Sequence, residues 1–274
     1  MIKMVASDLD GTLLLNKAQS LPPELFPLIG KLKEQGIMFV AASGRQYANM
    51  KRLFAPVADD ISYICENGAM AIQDEQVLYQ TGFDSGLVRE IIETILEKDG
   101  CEFTCSTKDF YYLMPKTEAF YDLMIREIKN VGKVMKSLDE ITEPCMKVAV
   151  YDKNGISDEF IRFWQERFSD RCKVVTSGNE WVDFIPYETN KANGIKTFQQ
   201  KYGIAPEECV VFGDEYNDIE MLKCVPYSFV MSHSKEGVKQ HAAYQTERVE
   251  PVLEKIIDAK GNMEEVLQCI QKNV

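Results

Sequence analysis

Over roughly the first eighty residues, short apolar runs alternate with amphipathic stretches, the pattern of buried strands joined by surface helices. Residues 3–7 read as a first strand. After Pro22-Pro23, Leu25, Leu28, Ile29 and Leu32 recur at helical spacing until Gly36 ends the pattern, and residues 37–42 then read as a second buried strand. This is a βαβ unit, which predicts a parallel sheet. Helical residues follow Arg45, residues 62–65 predict a third strand, and residues 69–73 with 77–80 predict a hairpin around Asp74-Glu75.

The texture changes near Gly82. A helix carrying Leu87, Val88, Ile91, Ile92 and Ile95 precedes a strand pair, 101–105 and 110–114, around Lys108-Asp109. A helix near 118–129, a strand at 147–151, a helix at 158–168 and strands at 173–176 and 181–185 around Ser177-Gly178-Asn179 complete a block of α+β character. The βα alternation returns after Asn190, with a helix at 191–202, a strand at 209–212, a helix near 218–223, a strand at 227–231 and two amphipathic helices to the end. The chain thus predicts an α/β core from residues 1–81 and 188–274, split by an inserted domain at 82–187.

Composition narrows the function classes. The chain has 274 residues, of which 45% are hydrophobic and 27% charged, with only 10 prolines and 16 glycines, which excludes a disordered or collagenous chain. Lys+Arg of 31 against Asp+Glu of 43 gives −12, the wrong sign for a nucleic-acid or anionic-membrane partner. A carboxylate, Asp8, interrupts the start before a signal-peptide core, and no window approaches the ~20 apolar residues of a membrane-spanning helix, so the reading places the protein in the cytoplasm. Eight cysteines without a CxxC pair read as free buried thiols, and His233 and His241, assigned no role, are too few and too distant to complete a zinc site. Phe110, Tyr111, Tyr112 and Trp181 read as core or groove lining of the insert.

Four stretches carry candidate chemistry. Asp8-Leu9-Asp10-Gly11-Thr12 follows the first strand, at the strand end where open α/β sheets bind ligands. Extended backbone would point both carboxylates to one side, an arrangement suited to a divalent cation, to a carboxylate nucleophile with an acid/base neighbour, or to a simple Asp-Gly turn. Gly213-Asp214-Glu215-Tyr216-Asn217-Asp218 follows another strand and suits either a hard cation or helix capping. Ser43-Gly44-Arg45 sits between strand and helix, where a hydroxyl and backbone N–H groups hold a phosphate or cap the helix. Lys191 opens a helix, a place a cation occupies when an anion is near. Four carboxylates at 8, 10, 214 and 218 around a phosphate would repel it by several kcal/mol without compensating cations.

In this order the four stretches resemble the haloacid dehalogenase (HAD) superfamily of phosphotransferases. The insert, placed after Glu66-Asn67-Gly68-Ala69 and about a hundred residues long, is similar to the large α/β cap of its Cof-like phosphatase branch. The resemblance implies a Rossmann-like parallel-sheet core with an inserted α+β cap domain, and a magnesium-dependent phosphatase of small phosphorylated metabolites, sugar phosphates or a phosphorylated cofactor, working through an aspartyl-phosphate. It makes Asp8 the nucleophile and Asp10 the general acid/base. Leu9, Ser43, Gly44, Lys191 and Asn217 would contact phosphate, Asp8, Asp214 and the Asp10 carbonyl would hold Mg2+, and Asp218 would support the metal from behind. The cap would close over the site and choose the leaving group. Two departures stand out: Lys191-Ala192 where family members often have Lys-Gly, and Met231-Ser232-His233-Ser234 where they often have Met-Gly-Asn-Ala. A sugar-phosphate phosphatase or phosphomutase of the same superfamily shares every core residue, and a receiver-type signalling domain shares the acidic residues, hydroxyl and lysine but lacks both the insert and an Asp10 equivalent.

Overall fold

The computed structural model describes residues 1–176 and 179–268. The turn expected at Ser177-Gly178-Asn179 and the eighth cysteine, Cys269, fall partly or wholly outside the described residues. Along the chain the strands are β1 (Met4–Ser7), β2 (Met38–Ala42), β3 (Ser62–Cys65), β4 (Met70–Gln73), β5 (Gln76–Gln80), β6 (Cys101–Ser106), β7 (Tyr111–Leu113), β8 (Gly132–Val134), β9 (Lys147–Asp152), β10 (Lys173–Thr176), β11 (Trp181–Ile185), β12 (Cys209–Gly213), β13 (Tyr227–Met231) and β14 (Tyr244–Thr246). They form two sheets, one per compact unit. The first unit comprises residues 1–45, 50–79 and Asn190 onward; the second comprises Gln46–Asn49 and Gln80–Thr189.

The first unit is built on an eight-stranded sheet in the order β14-β13-β12-β1-β2-β3-β4-β5. From β14 to β3 all neighbours are parallel, and β4 turns back antiparallel on β3. Strands β1, β2, β3 and β12 are buried along nearly their whole length, as parallel strands covered on both faces must be. Met4, Ala6, Val40, Ala42, Ile64 and Val211 pack against Ile195 and Phe198 of the helix Lys191–Tyr202. The helix Leu25–Glu34 presents Leu25, Leu28, Ile29 and Leu32 inward, the spacing read from the sequence. The β4–β5 hairpin turns through Asp74 (φ 48°) and Glu75 (φ 62°), the two left-handed positions of a tight two-residue turn.

The register fixes where chemistry can occur. Ser7 of β1 lies beside Phe212 of β12 and Ala41 of β2, so the loops leaving these strands emerge side by side at one sheet edge. The strand order also reverses around β1, and the crevice at such a switch point is where open α/β sheets bind ligands.

The second unit has a six-stranded sheet, β10-β11-β9-β6-β7-β8, antiparallel except for β7 with β8. Helices Ser85–Leu96 and Asp158–Phe168 have Asp84 and Ser157 as N-caps that accept hydrogen bonds from the first-turn N–H groups. Their apolar faces cover a core of Ile91, Ile95, Phe103, Val148, Trp164, Phe168 and Phe184. Tyr112 joins this core while its neighbour Tyr111 packs on the opposite face with Phe120, as strand alternation requires. The chain is therefore an α/β protein with a parallel-sheet core and an inserted α+β domain.

The structure departs from the sequence reading in three places. The helix expected near 118–129 begins as α-helix (Glu118–Tyr121), continues as a wide π-type stretch (Asp122–Glu127), and is followed by a left-handed Lys129 (φ 59°). Strands β8 and β14 were not expected. Each has three residues and lies at a sheet edge, too short to establish an alternation. The C-terminal pair of helices resolves, within the described residues, into Glu236–Lys239, Glu250–Asp258 and Met263–Leu267.

Candidate active site

The loop after β1 is a compact knot. The Leu9 carbonyl accepts N–H groups from Thr12, Leu13 and Leu14, and Gly11 N–H donates to the Leu14 carbonyl. Gly11 has φ 88°, and a Cβ there would lie 2.1 Å from Asp214 Oδ2, so only glycine lets the loops after β1 and β12 approach this closely. Thr12 Oγ1 donates to Asp214 Oδ1 at 3.0 Å, tying the same two loops together.

Lys191 is wholly buried, held there by its own helix start. Asn190 caps the helix, its side chain accepting Asn193 N–H, and Gly68 (φ 96°) leaves room for the Asn190 carbonyl, which a Cβ would meet at 2.0 Å. From this position Lys191 Nζ donates to Asp8 Oδ1 at 2.5 Å and to Asp218 Oδ1 at 2.6 Å. Asp218 Oδ2 accepts the N–H groups of Asp214 and Glu215 at 2.9 and 3.1 Å, folding the acidic loop around itself. Asp8, Asp214 and Asp218 each place a carboxylate oxygen within 4.8 Å of the others.

Three carboxylates and one ammonium cannot all be ionised comfortably in such a place. Burial pushes the Asp8 carboxyl well above its ordinary value; Lys191 offsets part of this, while Asp218 and Asp214 add to it. Burial and Asp218 likewise raise Asp214, against the hydrogen bond from Thr12 and the nearby His233. Burial by itself would depress the Lys191 ammonium, but Asp218 and Asp8 outweigh it and hold it above the ordinary lysine value. Asp8 Oδ2 is buried with no hydrogen-bond partner. An orphaned oxygen among like charges is the donor set a hard divalent cation satisfies, so the residues present fit Mg2+.

Asp10 behaves differently. Its half-exposed carboxylate is gripped at two points by Arg45, Nε to Oδ2 at 2.8 Å and Nη2 to Oδ1 at 2.6 Å. Ser43 is buried; its N–H donates to the Ile64 carbonyl at 2.8 Å and its Oγ accepts Arg45 N–H at 3.2 Å. That bond folds the 43–45 turn rather than capping the next helix, Tyr47–Leu53. Gly44 lies against the Asn67 amide, and Asn217 Nδ2 donates to Asn67 Oδ1 at 3.0 Å.

The structure thus gathers Asp8, Lys191, Asp214 and Asp218 directly, and Thr12 joins them through Asp214. Ser43, Gly44, Asn67 and Asn217 form a second connected set, to which Arg45, and through it Asp10, is joined by the Arg45 N–H on Ser43 Oγ. Three of these participants, Thr12, Arg45 and Asn67, and also His233 beside Asp214, had no role in the sequence reading. Thr12 and Arg45 adjoin the predicted residues, and Asn67 heads an Asn-Gly pair. His233, whose Nε2 lies 3.6 Å from Asp214 Oδ2, occupies one of the departures from the family pattern.

Comparison with known proteins accords with this geometry. Residues 5–251 match the family described as haloacid dehalogenase-like hydrolase. The 5-amino-6-(5-phospho-D-ribitylamino)uracil phosphatase YbjI of Escherichia coli K12 is 28% identical over 99% of this chain and 96% of its own length. The HMP-PP phosphatase of Citrobacter koseri is 22% identical over 85% of each chain. Among solved structures, the HAD subclass IIB sugar phosphatase BT4131 superposes with a TM-score of 0.73, covering 97% of this chain and 98% of its own at 22% identity. The described residues contain no helix long and apolar enough to cross a membrane. The chain belongs to the haloacid dehalogenase-like hydrolases.

Proposed function

We propose that the protein is a magnesium-dependent phosphatase that hydrolyses a small phosphorylated metabolite, a sugar phosphate or phosphorylated cofactor, through a phosphoryl group carried on Asp8. The observation that carries the reading is the buried Asp8 carboxylate, one oxygen held by Lys191 and the other without a partner, beside Asp214 and Asp218. Named substrates of the relatives, a ribitylaminouracil phosphate and a sugar phosphate, support the metabolite class.

In this reading a Asp8 carboxylate oxygen attacks phosphorus, forming an O–P bond as the bond to the leaving oxygen breaks. Asp10 gives that oxygen its proton, then as the carboxylate takes one from the water that hydrolyses the acyl phosphate. Arg45 orients the Asp10 carboxylate through both oxygens, and one of these bonds has to give way for Asp10 to carry the proton it donates. Lys191, Ser43 Oγ, Asn217 Nδ2 and the N–H groups of Leu9 and Gly44 hold the phosphoryl oxygens. Asp8, Asp214 and the Asp10 carbonyl would hold Mg2+, which when bound neutralises the charge between an anionic nucleophile and an anionic phosphoryl group. Asp218 keeps Lys191 in place and braces the loop that carries Asp214.

Phosphate release from p-nitrophenyl phosphate, followed by a panel of phosphorylated metabolites, tests this. Release is expected with Mg2+, to be lost in EDTA, and to fall by about a thousandfold or more in Asp8→Asn with folding intact. Turnover retained by the variant, or unimpaired by EDTA, contradicts the reading.

A further inference from the structure

Glu66-Asn67-Gly68 follows β3 with three successive left-handed residues, φ 49°, 58° and 96°. Asparagine tolerates this backbone better than most residues, yet the turn itself needs no amide. What the Asn67 side chain does instead is reach sideways. Its Oδ1 accepts from Asn217 Nδ2 at 3.0 Å across 150 residues of sequence. A Cβ on Gly44 would lie 2.9 Å from Asn67 Oδ1 and 3.1 Å from Nδ2, so the amide rests against the Gly44 backbone. Its backbone N–H donates to the Ser43 carbonyl at 3.0 Å. Asn67 therefore touches three of the residues assigned above to phosphate.

We infer that Asn67 is a positioning residue of the proposed phosphatase, fixing the Asn217 amide and the Ser43-Gly44 turn for the phosphoryl oxygens; the inference rests on the function proposed above. The physical argument is one of amide orientation. Left alone, an exposed asparagine such as Asn217 presents its N–H or its carbonyl oxygen to an anion with little preference. With one Nδ2 hydrogen committed to Asn67 Oδ1, Asn217 keeps its other N–H for phosphate and cannot flip without losing a hydrogen bond. Contact with Gly44 holds the neighbouring N–H donor in place by the same side chain, so one residue orders donors from two loops before substrate arrives.

Asn67→Gly tests this cleanly, because glycine accepts the φ of 58° while removing only the amide. The KM for p-nitrophenyl phosphate and the inhibition constant of inorganic phosphate are expected to rise about tenfold, with a thermal midpoint within about two degrees of the parent. Asn217→Ala, which leaves the turn untouched, is expected to raise the same constants to a similar degree. In the Asn217→Ala background, Asn67→Gly is expected to add less than about threefold, since most of its effect passes through Asn217. Unchanged phosphate inhibition in Asn67→Gly, or a full tenfold effect that persists without Asn217, overturns the inference while leaving the phosphatase reading intact. A wild-type protein that releases no phosphate from any substrate of the panel overturns both.

Discussion

The two units bury different things. The inserted domain buries a core in which Trp164 sits at 0% exposure between Phe160, Phe163, Phe168 and Phe184, with ring centroids 5.0–6.1 Å apart. Within this aromatic cluster the rings meet by contact alone and the indole Nε1 has no hydrogen-bond partner; the insert's buried carboxylates, Glu102 and Asp183, each have polar partners, Lys116 N–H and Thr117 Oγ1 for the first and Lys147 for the second. The parallel-sheet unit has an equally apolar interior along its strands, but at the edge where β1 and β12 end it buries Asp8, Lys191 and Asp218. Those groups are not an efficient way to stabilise a fold, since desolvating a charge offsets most of what its partner returns. The difference separates residues that hold the structure from residues whose local strain has a use. In the first set local and global preferences agree; in the second they conflict, and the conflict marks the site.

The largest expected effect on stability lies in the insert. Trp164→Ala is expected to cost about 3–5 kcal/mol in urea unfolding, the range for deleting a large core aromatic. A loss under about 1 kcal/mol would mean that this core is loosely packed and that the contrast is false.

A smaller effect of characteristic sign is expected at the acidic cluster. Asp8 and Asp214 have folded pKa values raised above the ordinary 3.8, so between that value and the raised one the folded state holds more protons than the unfolded chain. Their contribution to stability is therefore complete below the ordinary value and is lost as pH rises through the folded values. Metal-free protein should lose stability as pH rises from the ordinary value of 3.8 through the raised ones, by at most about 1.4 kcal/mol per pH unit for each proton concerned. Lys191, raised from 10.5, contributes no slope in this window. Asp8→Asn should flatten the slope, and thermal melts in EDTA across this pH range check it. Stability that instead rises with pH would place the ionised carboxylates in a favourable environment and remove the conflict.

Much of this was legible in sequence because it is local. Hydrophobic periodicity located the helices Asp158–Phe168 and Lys191–Tyr202 and the strands Ser62–Cys65 and Tyr227–Met231 without reference to anything distant. The acidic motifs were visible because each follows an apolar strand. The edge strands β8 and β14 were not, since their pairing is decided by a neighbouring strand and not by their own three residues. Likewise, Arg45 on Asp10, Thr12 on Asp214 and Asn67 on Asn217 join loops that only the sheet register brings together. The depth at which Lys191 sits depends on the Gly68 turn more than a hundred residues earlier, and a lysine opening a helix carries no sign of that by itself.

The claim at the centre is that the Asp8 carboxylate takes up the phosphoryl group. Acid quenching of the wild-type protein during turnover with Mg2+, followed by peptide mass spectrometry, tests it most directly. The account predicts one added phosphoryl group on the peptide containing Asp8, absent in EDTA. A phosphoryl group found on another residue, or none on Asp8 while phosphate is being released in a single-turnover time course, would contradict it.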